Sequence, residues 1–189
     1  MTINAPIDME LFQNTIHAWF VNATGLQTVW SQESSVAPEY PYASLNIISG
    51  PIPQSSHWEK RMTTDLSRPA GSEICEEATV PCTITISCQT FTGDPKKVPV
   101  NQRALSCMIE AQSALSLDSF RAYLYEANIA VVNVGAVQNI NEIISDSFAS
   151  RAAMDVVFRT TLSVVEYTGY IERVQIESVG LGVPEFEVP

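Results

Sequence analysis

The order of periodicities along the chain predicts an α+β fold: a mostly antiparallel sheet, helices packed on one face, and a protruding β-hairpin arm. Three observations predict it. Near the start, Leu11, Phe12, Ile16, Trp19, Phe20 and Ala23 recur at helical spacing. Later, Cys82, Ile84, Ile86 and Cys88 alternate strictly with Thr83, Thr85, Ser87 and Gln89, the pattern of a strand with one face buried. Strands then cluster instead of alternating singly with helices, which favours antiparallel pairing over a doubly wound sheet.

The first helix spans residues 8 to 24, with Asp8 as its N-cap after Pro6 and Gly25 as its stop. A short strand is expected at Thr28 to Trp30. Tyr42 to Ser49 reads as a strand with Ala43, Leu45 and Ile47 on one side, broken by Gly50-Pro51-Ile52-Pro53. Residues 54 to 80 alternate weakly and turn at Arg68-Pro69-Ala70-Gly71, so they are expected to form the hairpin arm. Residues 74 to 92 form a strand in which Pro81, having no N–H, suggests an edge or a bulge.

Gly93-Asp94-Pro95 ends that strand. A second helix is expected over 101 to 116, with a stripe of Leu105, Met108, Ile109, Gln112 and Leu115. Asp118 is read as the cap of a short third helix carrying Phe120, Leu124 and Ala127. Ile129 to Val137 is a strand, and Asn139 to Ile144 a turn or helical fragment. Residues 152 to 166 form a long strand in which Met154, Val156, Phe158, Leu162 and Val164 share a parity. Ile171 to Val179 is the last strand. The domain organisation expected is one domain over 1–180, with 181–189 as an extended tail.

The 189 residues carry 21 acidic and 10 basic side chains, a net charge of −11. No basic face of the kind that neutralises phosphates is visible, so specific nucleic-acid binding is not expected. The first twenty residues lack the basic start and apolar run of a signal peptide, and no apolar stretch reaches the ~20 residues that span a bilayer. Cys75, Cys82, Cys88 and Cys107 form no CxxC pair, so they read as small buried apolar residues in a reducing compartment. No metal, cofactor or catalytic set is expected. His17 and His57 are the two histidines, and no nucleophile elbow, phosphate loop or HExxH motif occurs. Glu73, Glu76 and Glu77 form the densest acidic run. Oxygen ligation of a divalent cation is one reading of it, and a solvated rim is the preferred one.

Three stretches taken in order carry a resemblance. They are Tyr40-Pro41-Tyr42-Ala43-Ser44-Leu45-Asn46-Ile47, the strand from Cys82 to Phe91-Thr92-Gly93, and Ser150-Arg151-Ala152-Ala153-Met154-Asp155-Val156-Val157-Phe158. Together they resemble the neck-terminator family of tailed phages, over roughly Leu11 to Val179. The resemblance implies a structural virion protein, not an enzyme, that forms a homohexameric ring at the neck. Such a ring caps the tail tube, meets a head-side connector or stopper protein, adjoins the sheath if the tail is contractile, and lets DNA pass without specific binding. The expected location is the virion, after assembly in the bacterial cytoplasm. Candidate interface residues are Trp58, Arg61, Met62 and Arg151. Candidate lumen-facing acids are Glu73, Glu76, Glu77 and Asp94. The alternatives are another neck component, such as a head–tail connector or tail-completion protein, and, from a different class, a small cytosolic enzyme or ligand-binding domain.

Overall fold

The computed structural model describes residues 7–31, 38–65, 73–94, 96–144 and 147–167. The expected last strand at 171–179 and the tail at 181–189 lie outside these residues. Helix α1 (Met9–Thr24) begins where the Asp8 carboxylate accepts the Leu11 N–H at 2.9 Å, and it ends on Gly25 at φ 67°, whose N–H donates to Val21 O. Both ends thus follow from local chemistry: an acceptor for an orphan N–H, and a residue without a Cβ for the left-handed turn.

The sheet is mostly antiparallel. Its order is β1 (Gln27–Trp30), β2 (Tyr42–Pro53), β4 (Glu73–Gly93), β8 (Ser147–Tyr167), β5 (Ala130–Val134). The exception is β1, which runs parallel to β2. Strand β3 (Glu59–Asp65) also pairs with β4, while β6 (Gln138–Asn139) and β7 (Glu142–Ile144) pair with β8. The spine is the β4–β8 ladder, in register from Cys75↔Tyr167 to Gly93↔Ser150.

Parity sorts the sheet into two faces. Val80, Cys82, Ile84, Ile86, Cys88, Thr90 and Thr92 of β4 are buried, as are Ala152, Met154, Val156, Phe158 and Leu162 of β8. The helices cover this face. Trp19 and Phe12 of α1 meet Phe158 edge-on, with centroids 6.0 and 6.2 Å apart, and Trp19 meets Phe20 likewise at 5.3 Å. Such pairs contribute about 0.5–1.5 kcal/mol each beyond the area they bury.

Helix α2 (Ala104–Ala114) follows a 3-10 turn at Val100–Gln102. Its start is held by the sheet, because its cap residue Arg103 makes no side-chain cap bond. Ala104 N donates to Thr92 Oγ1 at 3.0 Å, and Thr90 Oγ1 donates to Ala104 O at 2.9 Å. Helix α3 is Asp118–Glu126.

Several expectations need correction. The predicted stripe of α2 holds at Met108 and Leu115, which are buried, but is rotated toward Ala104, Cys107, Ala111 and Ala114, leaving Ile109 47% exposed. Asp118 lies inside the first turn of α3, whose cap is Leu117, so it acts there as a first-turn carboxylate and not as a cap.

Pro51 and Pro53 do not break β2. The strand bulges between Ile47 and Ile52 and continues to pair as far as Pro53↔Cys82. Its outer edge lies beyond β1, which pairs only with Tyr42 to Leu45, so prolines there cost no ladder bond. Pro81 sits in the central strand. Its carbonyl accepts from Gln54 N at 2.8 Å, so its backbone polar groups point toward the junction where β2 ends and β3 begins. Nothing is lost on the β8 side. The expected turn or helical fragment at 139–144 is instead the end of β6 and all of β7, with Ile140 and Asn141 between them outside any helix or strand: β5, β6 and β7 follow one another along β8 as the outer arm of a bulged hairpin.

Strands β3 and β4 pair antiparallel from Glu59↔Thr79 to Asp65↔Glu73. Strand β8 runs along the other side of the same stretch, so this end of the sheet is a three-stranded ribbon. Trp58 precedes β3 and is half-buried against a second apolar cluster of Val80, Cys82 and Leu162. Trp58, expected as an interface residue, thus also has a core of its own to pack on.

Candidate functional site

On the face of the sheet away from the helices, polar residues alternate with the core: Ser44, Thr83, Thr85, Ser87 and Gln89 are all half-buried. One rung breaks this run. Tyr42, Phe91 and Arg151 are direct cross-strand partners on β2, β4 and β8. Tyr42 and Phe91 stack with centroids 4.7 Å apart and planes 14° from parallel. The Arg151 guanidinium lies over Phe91, 4.9 Å from its centroid, and Arg151 Nη2 donates to Gln89 Oε1 at 2.7 Å. At the other end Tyr40 stacks on Tyr42 at 5.6 Å and stays 51% exposed.

The backbone makes room for this stack. Gly93 adopts φ 69°, and a Cβ there would lie 3.4 Å from the Tyr40 side chain. Asn141 Oδ1 accepts from Arg151 N, and Arg151 O accepts from Ile140 N, so the outer hairpin arm fixes the Arg151 backbone. Burial and the neighbouring Tyr40 push the Tyr42 phenol up, with Arg151 pulling the other way, so the hydroxyl stays protonated at neutral pH. The set has no nucleophile–base pair. What it offers is a flat aromatic and cationic surface, the kind of surface that anchors protein contacts.

The three sequence stretches that carry the resemblance meet here. Tyr40 and Tyr42 come from the first, Phe91 and Gly93 from the second, Arg151 from the third. Of these, Arg151 alone is among the residues singled out from the sequence. The others carry a legible signal: each rung residue has the parity opposite to its strand's apolar run, where a polar residue is expected.

The remaining sequence candidates lie elsewhere. Arg61 pairs with its direct cross-strand partner Glu77 through an Nε–Oε2 hydrogen bond of 2.7 Å, and Ser163, diagonal to Glu77 on β8, donates to Glu77 Oε1 at 3.0 Å. Arg61 and Ser163 together hold the Glu77 carboxyl below the usual carboxylate range. Lys60 pairs with Glu76, which raises the Lys60 ammonium. Glu76 and Glu77 are neighbours in a strand and therefore face opposite sides of the sheet. Met62 is 63% exposed on β3. Asp94 lies seventeen positions from Glu77, at the far end of β4, roughly 55 Å along the strand, and its carboxylate accepts from Lys96 N at 2.9 Å. The Glu73 side chain lies outside the described residues. Trp58, Arg61 and Met62 are thus at one end of the sheet and Arg151 at the other.

Of the histidines, His17 Nε2 sits 2.9 Å from Thr28 O, joining α1 to β1, and His57 is exposed. Burial raises the thiols of Cys82, Cys88 and Cys107. Among the described residues no three His, Cys, Asp or Glu side chains converge as metal ligands do, and no helix is long and apolar enough to cross a membrane.

A family model described as phage neck terminator protein matches residues 10–184 of the chain. A search of curated proteins returns no match.

Proposed function

The chain belongs to the phage neck terminator family, and from that premise we propose that it is the tail terminator of a tailed phage, acting as one subunit of a six-membered ring. The ring caps the finished tail tube, stops its growth and presents its other side to a head-side connector or stopper protein, while DNA passes through the hole. The observation that carries this reading is the family match over nearly the whole chain. The convergence of the three resemblance stretches on one surface rung supports it, since a structural subunit works through contact surfaces.

Within this reading Trp58, Arg61, Met62 and Arg151 serve contacts with neighbours, at the two ends of the sheet. The acidic surplus helps keep DNA mobile in the channel, because a basic wall would hold a polymer with one charge per ~1.7 Å. Glu76 and Glu77 contribute weakly there, being paired with Lys60 and Arg61.

The test is electron microscopy of lysates in which the gene carries an early stop codon. Tails of uncontrolled length, or finished tails lacking heads, are expected, with normal particles restored by supplying the protein. Normal particles in its absence would overturn the reading.

A further inference from the structure

The fold blunts most of the strand edges it exposes. Strand β1 is four residues long, and β5 is five, with a register shift between Val131 and Asn133. The outer side of β2 beyond its pairing with β1 is bulged and carries Gly50, Pro51 and Pro53. Short strands, bulges and prolines keep a sheet from pairing with another chain. The ribbon end lacks these devices. Among the described residues β3 pairs with β4 alone, and β5, β6 and β7 cover β8 no further than Arg159. Residues 160–167 of β8 are therefore open on one side, while their other side keeps an unbroken register with residues 75–82. Strand β3 also pairs without a shift, and neither stretch contains glycine or proline. Lys60 and Arg61, which could guard the β3 edge, are drawn back onto Glu76 and Glu77 of β4.

The two open edges belong to one ribbon. Strands β3 and β8 are each antiparallel to β4, so they run parallel to each other. Rungs read straight across it, as Lys60–Ala78–Val164 and Met62–Glu76–Glu166. Partners on a rung share a face. On that face the β3 edge shows Met62, 63% exposed, and the β8 edge shows Val164, half-buried. Glu166 is exposed and lies directly opposite Glu76, a like-charge pair that costs stability. Lys60 is bonded to Glu76 and acts on Glu166 only at longer range. A second β3 laid along β8, in the same direction and with the same face up, brings another Met62 and Lys60 beside Val164 and Glu166. The apolar edges then cover each other, and the unmatched carboxylate gains a cation. Such a contact uses opposite sides of the two ribbons, so it is head to tail and generates a ring when its rotation closes.

We propose that β3 of one copy adds to the open edge of β8, residues 160–167, in a second copy of this chain, so that the ribbon continues from subunit to subunit. The proposal rests on the ring reading above and adds which two strands meet. Backbone hydrogen bonds along the two edges supply the attraction, and the side chains at Met62, Lys60, Val164 and Glu166 set direction and face.

Cross-linking tests it with the full-length protein in a Cys75→Ser background. One tagged chain carries Met62→Cys, and a second, with a different tag, carries Val164→Cys or Glu166→Cys. Far-ultraviolet circular dichroism verifies folding, mass photometry reads self-association, and electron microscopy reads occupancy of tail tubes from terminator-deficient lysates. The mixed chains are added to such tubes and oxidised mildly. A disulfide-linked dimer carrying both tags is expected with at least one of the two partners, at least about ten-fold above the yield when Ile48→Cys replaces Met62→Cys. Within one chain the paired positions lie two strand spacings apart, ~10 Å, beyond the ~7 Å between Cα atoms that a disulfide spans. A single chain carrying both substitutions should therefore link into a ladder of copies and not close on itself. If the chains associate or occupy tube ends and neither partner gives the mixed dimer, the edge assignment falls and the ring reading stands. Backbone amides of residues 160–167 that are already protected from hydrogen exchange in the isolated monomer would show that the chain covers this edge itself, and would also overturn the assignment. A wild-type chain that neither associates nor occupies tube ends overturns both.

Discussion

Gly135 and Asp155 approach more closely than any other residue type at position 135 would allow. Gly135 N donates to Asp155 O at 2.7 Å, and a Cβ on residue 135 would lie 2.8 Å from that same oxygen. The contact occurs where β5 gives way to β6 along β8, and Gln112 of α2 donates to Gly135 O at 3.1 Å. One glycine therefore joins the outer hairpin arm, the central ladder and a helix. Gly135→Ala is expected to destabilise the protein by about 1–3 kcal/mol, because the obstructing atom is backbone and must move with its ladder. Gly50→Ala, with nothing near its Cβ position, is the matched control and should stay within about 0.5 kcal/mol of wild type. Urea unfolding of the two variants measures both, and equal midpoints would contradict the argument.

The aromatic rung separates folding from contact. Tyr40→Ala should change unfolding free energy by less than about 1 kcal/mol, because the ring is half in solvent, yet weaken assembly by about 2 kcal/mol as a contact anchor. Arg151→Lys keeps the charge but loses the flat stack on Phe91 and the forked donor to Gln89, so a loss of about 1 kcal/mol in stability is expected. Thermal melts and tube-end occupancy, compared side by side, read the two effects.

Trp58 and Met62 should behave differently although they lie four residues apart. Trp58 packs on Val80, Cys82 and Leu162, so Trp58→Ala is expected to cost about 2–3 kcal/mol of stability before any effect on assembly. Met62 is exposed, and Met62→Ala should leave stability within about 0.5 kcal/mol while weakening any contact its strand makes. A neutral Trp58→Ala in urea unfolding would count against the packed position.

Glu77 adds an acid-sensitive contribution. Its folded-state pKa is lowered by Arg61 and Ser163, so its stabilisation is present above the unfolded value of ~4.3 and is lost as pH falls through the folded value. Exposure of the ion pair to solvent keeps the amount to about 0.5 kcal/mol. Melting temperatures of wild type and Glu77→Gln should therefore differ at pH 7 and converge toward pH 3. A constant difference across that range would remove the carboxylate from the account.

Cys82, Cys88 and Cys107 are free thiols, buried and raised in pKa by that burial, so little thiolate forms at pH 8. In a Cys75→Ser background, reaction with a chromogenic disulfide should be on the order of a hundred-fold slower in the native protein than in urea. Rapid native labelling would show that this part of the core opens readily.

The sequence alone determined whatever depends on neighbours along the chain. Asp8 and Gly25 bound α1 because a cap and a left-handed stop act within four residues. The strict alternation from Cys82 to Gln89 marked a one-sided strand because successive side chains in any strand point to opposite faces. The family resemblance was carried by three stretches whose order is itself a sequence property. Tertiary structure decided the rest. Helix α2 keeps Met108 and Leu115 inside but turns to bury Cys107 and Ala111 with Ile109 outside, because the rotation of a helix about its axis is set by the elements it packs on, which periodicity does not identify. Pro81 and Pro53 could stay in strands because of which edge each one faces, a fact set by partners far away in the chain. The same holds for the rung: Tyr42, Phe91 and Arg151 are over a hundred residues apart from first to last, and only the register of two ladders, fixed by the buried face behind them, brings an aromatic pair and a guanidinium into one stack.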